Sequence, residues 1–527
     1  MPNVPTFSVD AGFWYRVPDH LQVEVGSQVR VPLSGRRVRG WVVEVGQRPS
    51  ERLKDIAGVS GEAPVFDEML LRSLNWASVH YVAPMAVVLA KATPPNLPGR
   101  IPAPPVHQVP EADPTHPILA VARASAQDKR HPAVAMVGPW RRLAWLPSLG
   151  PVLAAGHNVA VVTATAAEVD QVASHARPLF ADRVVAVPVE GDREITDAWM
   201  AAQRPGSVVV GPPRLACWRM GRLGLVVVLE EGRRAMKDKQ TPTIHVREMV
   251  RTRSRAEGFN VVFFGPTPSV ETLAAGATVV RASRRAWAPV EIVDRSGEPP
   301  GAGLLSDRVI ATLRRLGRDE AGRAFVLTSR RLVEGVVDEV NRRLGKGAAA
   351  AHPGGVIAAV GTERDLAALE PVRVAVAVSI DLMPGAAGYR GDEEAIRVLA
   401  RLGNSVLPGG RLMAQTSQPD SPLATALRRG DPVPFLEKVL ADRAVQGMPP
   451  AREMVAIEVR GQIDPRIPDE ISSLDGVDVY GPAELEDGLR WLVAGRLDRI
   501  RPRLRDLAAA WRERGATVRI DADPIDL

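Results

Sequence analysis

The sequence predicts an α/β protein: two tandem doubly wound lobes, a β-rich domain before them and a small α+β domain after them. Three observations carry this. Short apolar runs rich in valine alternate with helix-period segments over 133–275, and again from about Gly322 to 414. The run 225–229, Leu-Val-Val-Val-Leu, follows Gly224 and ends on Glu230-Glu231-Gly232. That is the form of a buried parallel strand with carboxylates at its carboxyl end, where open α/β sheets bind ligands. Period-two alternation dominates on either side of these lobes, near 27–45 and 454–521.

Residues 1–93 form the first domain. Phe13-Trp14-Tyr15-Arg16-Val17-Pro18 reads as a strand stopped by proline, 27–33 alternates polar and apolar, and 38–45 returns after Ser34-Gly35-Arg36-Arg37. Gly35 with Arg36, Arg37 and Arg39 makes a basic hairpin tip, which serves equally as an exposed turn or as a phosphate contact. Val65, Leu70, Leu71, Leu74, Trp76 and Val79 fit a helix, broken by Pro84, and a second apolar helix spans 85–91. Residues 94–131 are a proline-rich linker holding one short helix at most.

The first lobe, 132–286, has strands at 133–137, 159–162, 184–189, 208–211, 225–229 and 261–264, and helices at 149–155, 166–180, 247–257 and 270–275. The second, 287–445, has strands at 324–327, 355–360, 372–380 and 410–414, and helices at 332–344, 393–402 and 434–444. Residues 446–527 complete the chain with strands at 454–459, 477–482, 489–493 and 517–521 and a helix at 502–514.

With 527 residues, 45% of them hydrophobic, the chain can bury several cores. No run approaches the ~18 apolar residues of a membrane span. Met1 to Thr6 lacks the basic-then-apolar pattern of a signal peptide, and the single Cys217 excludes internal disulfides and a cysteine zinc cluster, so a cytoplasmic protein is expected. The formal charge is +6, and only seven of the 67 basic residues are lysine. A surface of arginine forks for phosphates and an arginine-biased genome explain this equally well.

Certain motifs recur in one order along the chain. They are Phe13-Trp14-Tyr15 with Val17-Pro18, Val29-Arg30-Val31-Pro32 with Gly35 and Gly40, Glu230-Glu231, and Ile244-His245-Val246-Arg247-Glu248. Then come Gly265-Pro266-Thr267-Pro268-Ser269-Val270-Glu271, Gly361-Thr362, Gln415-Thr416 with Asp420-Ser421-Pro422, and Gly447-Met448-Pro449-Pro450. In this order they resemble the PriA (primosomal protein N′) family, the replication-restart helicases of superfamily 2. The resemblance implies two RecA-like lobes and an N-terminal domain that holds the 3′ end of a nascent strand. By motif, that end pocket falls on Phe13, Gly35 and Lys54, with Trp14 replacing the family's Asp. An aromatic face can stack on a terminal base and Lys54 can meet a phosphate. By residue type alone, the same side chains read as an alternating β core and a solvated lysine.

Against the family pattern, the fuel pocket is degenerate. The phosphate-loop position reads Gly138-Pro139-Trp140-Arg141-Arg142, without the Lys and Thr that a Gly-x-x-x-x-Gly-Lys-Thr loop uses on phosphate and Mg²⁺. Leu229 stands at the metal-holding Asp, leaving Glu230 and Glu231 as remnants. Residues 401–408 replace the arginine-finger motif, the eight zinc cysteines are absent, and the linker stands where a winged helix belongs. No ATP, Mg²⁺ or zinc cofactor is therefore expected. DNA contact is expected at Arg36 and Arg37, at Arg214 in the strand-contacting loop, and at Arg233, Arg234 and Lys237 after the metal strand. The expected function is binding of branched or fork DNA with a 3′ end in replication restart, without helicase activity. Its expected partners are single-strand binding protein and the replicative helicase or its loader, with no membrane. An active 3′-to-5′ DNA helicase and a protein scaffold without DNA binding are the alternatives.

Overall fold

The computed structural model describes all residues except 48–51, 107, 110–114, 300, 319–322, 462 and 527. Gly322 and part of the proline-rich stretch thus lie outside the described residues. The first lobe is a seven-stranded sheet in the order Thr278–Arg281, Val134–Val137, Asn260–Gly265, Leu223–Leu229, Asn158–Val162, Val208–Gly211, Val184–Ala186. Every pairing in it is parallel. Valine-rich runs suit this because both faces are covered. Val226 and Val228 pack towards helices Glu68–His80 and Val246–Glu257, while Leu225, Val227 and Leu229 pack towards helices Ile118–Ala126 and Ala166–Phe180. Local signals set the helix ends. Thr165 accepts from the Glu168 amide at one start, His245 Nδ1 accepts from the Arg247 amide at another, and left-handed Gly258 ends the latter helix.

The second lobe repeats the design with strands Val290–Asp294, Val406–Thr416, Val372–Ala377, Ala324–Leu327, Ala358–Gly361 and Ala349–Ala351, again all parallel. Both lobes are RecA-like. An antiparallel sheet, Arg36–Trp41, Gln28–Leu33 and Gly58–Ser60, stands before them. Another follows them, Val477–Leu485, Gly488–Gly495, Glu453–Gly461 and Ala516–Ala522, with helix Ile500–Glu513 against it. The core of this last domain is continuous with the first lobe and with the N-terminal helices. His80 Nε2 lies 2.8 Å from Asp523 Oδ2, and Arg505 pairs with Asp10. Among the described residues no helix is long and apolar enough to cross a membrane.

Several elements differ from expectation. Residues 13–18 are not a strand: among the described residues only Arg16 bridges, to Asp55, and Phe13 and Val17 stay exposed. Ile118–Ala126 is not spacer, since Ile118, Val121 and Ala122 are buried in the first lobe's core. Thr278–Arg281 and Val290–Asp294 lack a sustained apolar run and become strands by adding to sheet edges. Ala349–Ala351 has low intrinsic β preference and owes its state to pairing with Ala358–Gly361.

Candidate functional site

The strand Leu223–Leu229 delivers Glu230 into the cleft between the lobes, with its backbone in the left-handed region at φ 53°. The side chain is 3% exposed. Trp140 Nε1 donates to its Oε1 at 2.8 Å. Arg401, from helix Gly391–Asn404 of the second lobe, places Nε 3.0 Å from Oε2, and Arg233 lies at 3.5 Å. Arg233 in turn grips Glu168 at 2.6 and 2.9 Å. Arg141 donates to Glu168 at 3.2 Å and, across the cleft, to the Leu366 carbonyl at 3.3 Å. Glu363 accepts from Arg397 and Arg401 at 3.2 Å each. Burial opposes the charge on Glu230, but the guanidiniums of Arg401, Arg233 and Arg141 and the Trp140 N–H overcome it, holding the carboxyl down at about 2. Burial also pulls Arg401 down to about 10 against the favourable field of Glu230.

A second cluster lies beside the first. Glu231 accepts from the Ser269 amide at 2.9 Å and Thr272 Oγ1 at 2.6 Å, tying down the start of helix Val270–Ala274. Glu271 on that helix meets Arg390 of the second lobe at 2.9 Å and Arg247 of its own lobe at 3.5 Å. Buried Glu271 is held at about 2 because Arg390, Arg247 and Arg443 outweigh its desolvation. Glu393 spans the gap, accepting from the Val270 amide at 3.3 Å and Arg443 at 2.8 Å. Val137 and Val270 of the first lobe share a core with Val398 and Leu427 of the second.

The loop at the phosphate-binding position is internally satisfied. Gly138 N–H donates to Gly265 O at 2.9 Å, Trp140 N–H to Gly138 O at 3.0 Å, Arg142 N–H to Pro139 O at 3.2 Å and Leu143 N–H to Trp140 O at 3.0 Å. Pro139 has no N–H to offer. The Trp140 ring is fully buried. Arg141 is drawn into the cleft network, and Arg142 is exposed.

Among the residues expected to meet DNA, Phe13 is 47% exposed and Trp14 half-buried. The segment carrying them is tied to Lys54 and to the strand leading into the Gly35 turn. Arg16 N–H donates to Lys54 O at 2.9 Å, and Tyr15 OH donates to Pro32 O at 3.2 Å, three residues before Gly35. Gly35 sits at the tip with φ 80°, and an added Cβ would meet nothing within 4 Å. Arg36, Arg37 and Lys54 are exposed. Arg214 is half-buried and donates to Val189 O at 2.9 Å, and exposed Arg234 pairs with Asp526 at 2.8 Å.

Two expectations are corrected. Arg233 is 7% exposed and spends its charge on Glu168 and Glu230. Lys237 is 6% exposed, and its Nζ donates to Asp521 at 2.6 Å, Ala522 O at 2.7 Å and Asp523 O at 2.6 Å, which uses all three protons. Neither is a surface phosphate contact. Sequence reasoning missed Glu168, Glu363 and the bridging role of Arg401. The signal available was the row Arg390, Glu393, Glu394, Arg397 and Arg401, charges three or four apart within one buried helix. It also missed a cavity of about 810 Å³ at the carboxyl ends of the second lobe's strands, edged by Arg234, Thr328, Ser329, Arg330, Thr362 and Arg364.

Paired RecA-like lobes with a small β-rich domain before them give the chain a helicase-like fold. Residues 3–94 match the model of the PriA 3′DNA-binding domain (3′BD). The chain carries that domain and is PriA-like over residues 3–94. Similar solved structures include RecG bound to a three-way DNA junction (TM-score 0.39, 12% identity, 64% of this chain and 47% of that one). They also include S. cerevisiae Dbp5 bound to RNA and ADP BeF3 (TM-score 0.38, 11% identity, 62% and 88%). A third is the Escherichia coli DEAH/RHA helicase HrpB (TM-score 0.32, 14% identity, 63% and 50%). The architecture itself is read from the strand orders above.

Proposed function

We propose that this PriA-like protein binds branched or fork DNA bearing a 3′ end and acts in replication restart without consuming nucleotide. Its N-terminal domain supplies the DNA grip, and Phe13 is the base-stacking surface. The reading that it is no motor rests on one observation: Glu230, at the end of the first lobe's central strand, is ion-paired to Arg401 of the opposite lobe. The residues present do not fit a nucleoside triphosphate with Mg²⁺. Three of the loop's amides are spent on its own backbone and a fourth on Gly265 O, Leu229 has no side-chain oxygen for a metal, and the nearest carboxylate is neutralised by arginines. A translocase must also open and close its lobes, and these are joined by buried ion pairs and a shared apolar seam. What it would recruit, a replicative helicase or its loader beside single-strand binding protein, is part of the same proposal.

The test runs fork binding, with the 3′ end free or blocked, alongside DNA-stimulated ATP hydrolysis. Binding that prefers the free end, with turnover no higher than a Glu230→Gln, Glu231→Gln control, is the expected result. Turnover at motor-like rates that the control abolishes would refute it.

A further inference from the structure

The N-terminal sheet carries a charge arrangement that its own stability does not explain. Val29 and Val31 are buried with Ile56, and Tyr15, Leu21, Val23 and Val38 pack against them, so this face of the sheet is covered. Alternation puts Arg30, Arg37 and Arg39 on the opposite face. Arg30 lies directly across the antiparallel pair from Arg39. Like charges at such a position repel. All three are exposed. Among the described residues none of them forms an ion pair, and Asp55 is taken by Arg16 at 3.7 Å. On the third strand, Gly58 stands opposite Arg30 and adds no side chain to the face.

Arg37 and Arg39 are ~7 Å apart along one strand and Arg30 is ~5 Å across from Arg39 at the backbone. Three planar forks at this spacing, uncompensated by any carboxylate among the described residues, match a row of phosphate oxygens. We infer that Arg30, Arg37 and Arg39 form a contact surface for the sugar–phosphate backbone of nucleic acid, on the face of the sheet turned away from the segment that carries Phe13. This rests on the proposed DNA-binding function and extends it. One side of the domain meets the strand end, and the other holds the strand or duplex arm that runs past it. The one aromatic on the three strands, Trp41, is buried with its Nε1 donating to Thr93 Oγ1 at 3.0 Å, and the strands carry no carboxylate, so the contact positions the nucleic acid and does not read its sequence.

The experiment measures binding of the full chain to single-stranded DNA and to blunt duplex across a salt series. Wild type is compared with Arg30→Gln, Arg37→Gln, Arg39→Gln, and with a charge-matched control, Arg193→Gln, Arg460→Gln, Arg466→Gln. In a plot of log affinity against log salt, losing three phosphate contacts flattens the slope by about 2 on single strands or about 2.7 on duplex. The substrate that shows the change identifies the arm held. The control should leave the slope in place, and the thermal midpoint of the triple variant should not fall, because a repulsive pair has been removed. Should the triple variant misfold, Arg39→Gln alone should flatten the slope by about 0.7–0.9. Wild type that binds DNA with a slope these variants leave unchanged overturns this inference and leaves the functional proposal standing. Wild type that binds neither substrate overturns both.

Discussion

Replacing Arg401 with Met tests whether the cleft is a lock. The change keeps the length and apolar stem of the side chain and removes the second lobe's charge from Glu230. Stripping one partner from a buried ion pair typically costs ~3–5 kcal/mol. Two features lower that here. Glu230 keeps the Trp140 N–H at 2.8 Å and Arg233 at 3.5 Å, and Arg401 Nε meets the carboxylate as a charge contact without an aligned hydrogen bond. A second route gives a similar size. Holding Glu230 at about 2 instead of 4.5 amounts, at ~1.4 kcal/mol per tenfold change in ionisation, to about 3 kcal/mol net, which three arginines and an indole supply beyond the desolvation they first overcome. Arg401→Met should therefore cost about 2 kcal/mol in urea unfolding followed by tryptophan fluorescence at pH 7. Glu230→Gln added to it should return about half, since a neutral amide no longer needs the cation. The sign in pH follows from the depressed carboxyl. Stability from Glu230 is fully present above about 4.5 and is lost as pH falls through 4.5 towards 2. Wild type should lose this increment on acidification, and Glu230→Gln should lose less. A loss below ~0.5 kcal/mol for Arg401→Met, with no coupling in the double-mutant cycle, would refute the lock.

Lys237→Met should destabilise the protein by ~2–3 kcal/mol, because Asp521 and two carbonyls lose a buried cation, while the salt dependence of DNA binding stays unchanged. Hydrogen exchange over 516–526 and a salt titration check the two halves. Phe13→Ala should leave stability within ~0.5 kcal/mol, since the ring is 47% exposed, yet weaken binding to a fork with a free 3′ end by ~1–3 kcal/mol. Equal losses on free and blocked ends, measured by fluorescence anisotropy, would remove Phe13 from the end pocket. Trp140→Phe should cost ~1–2 kcal/mol through the lost N–H to buried Glu230, and should create no ATP hydrolysis.

Much of the architecture was legible in the residues because its signals are local. A valine run such as 225–229 and a helix stripe such as Leu70, Leu71, Leu74 each encode their state within a few turns, and burying both faces of a strand demands that composition wherever it occurs. The motif order over the chain, and the domain at 3–94, were likewise carried by sequence. The site was only half legible. That residues 138–142 hold no Lys or Thr could be read directly, but what the loop packs against could not. Glu230 is 90 residues from Trp140, and Arg141 reaches a carbonyl 225 residues away. An arginine on a helix has the same local signature whether it faces water, phosphate or a buried carboxylate. The fold alone decided that Arg401 and Arg233 neutralise Glu230, that Lys237 holds the C-terminal strand, and that Arg30, Arg37 and Arg39 share one open face. The reason is physical: charge is a property of the residue, but its desolvation and its partner are set by segments that meet only when the chain has folded.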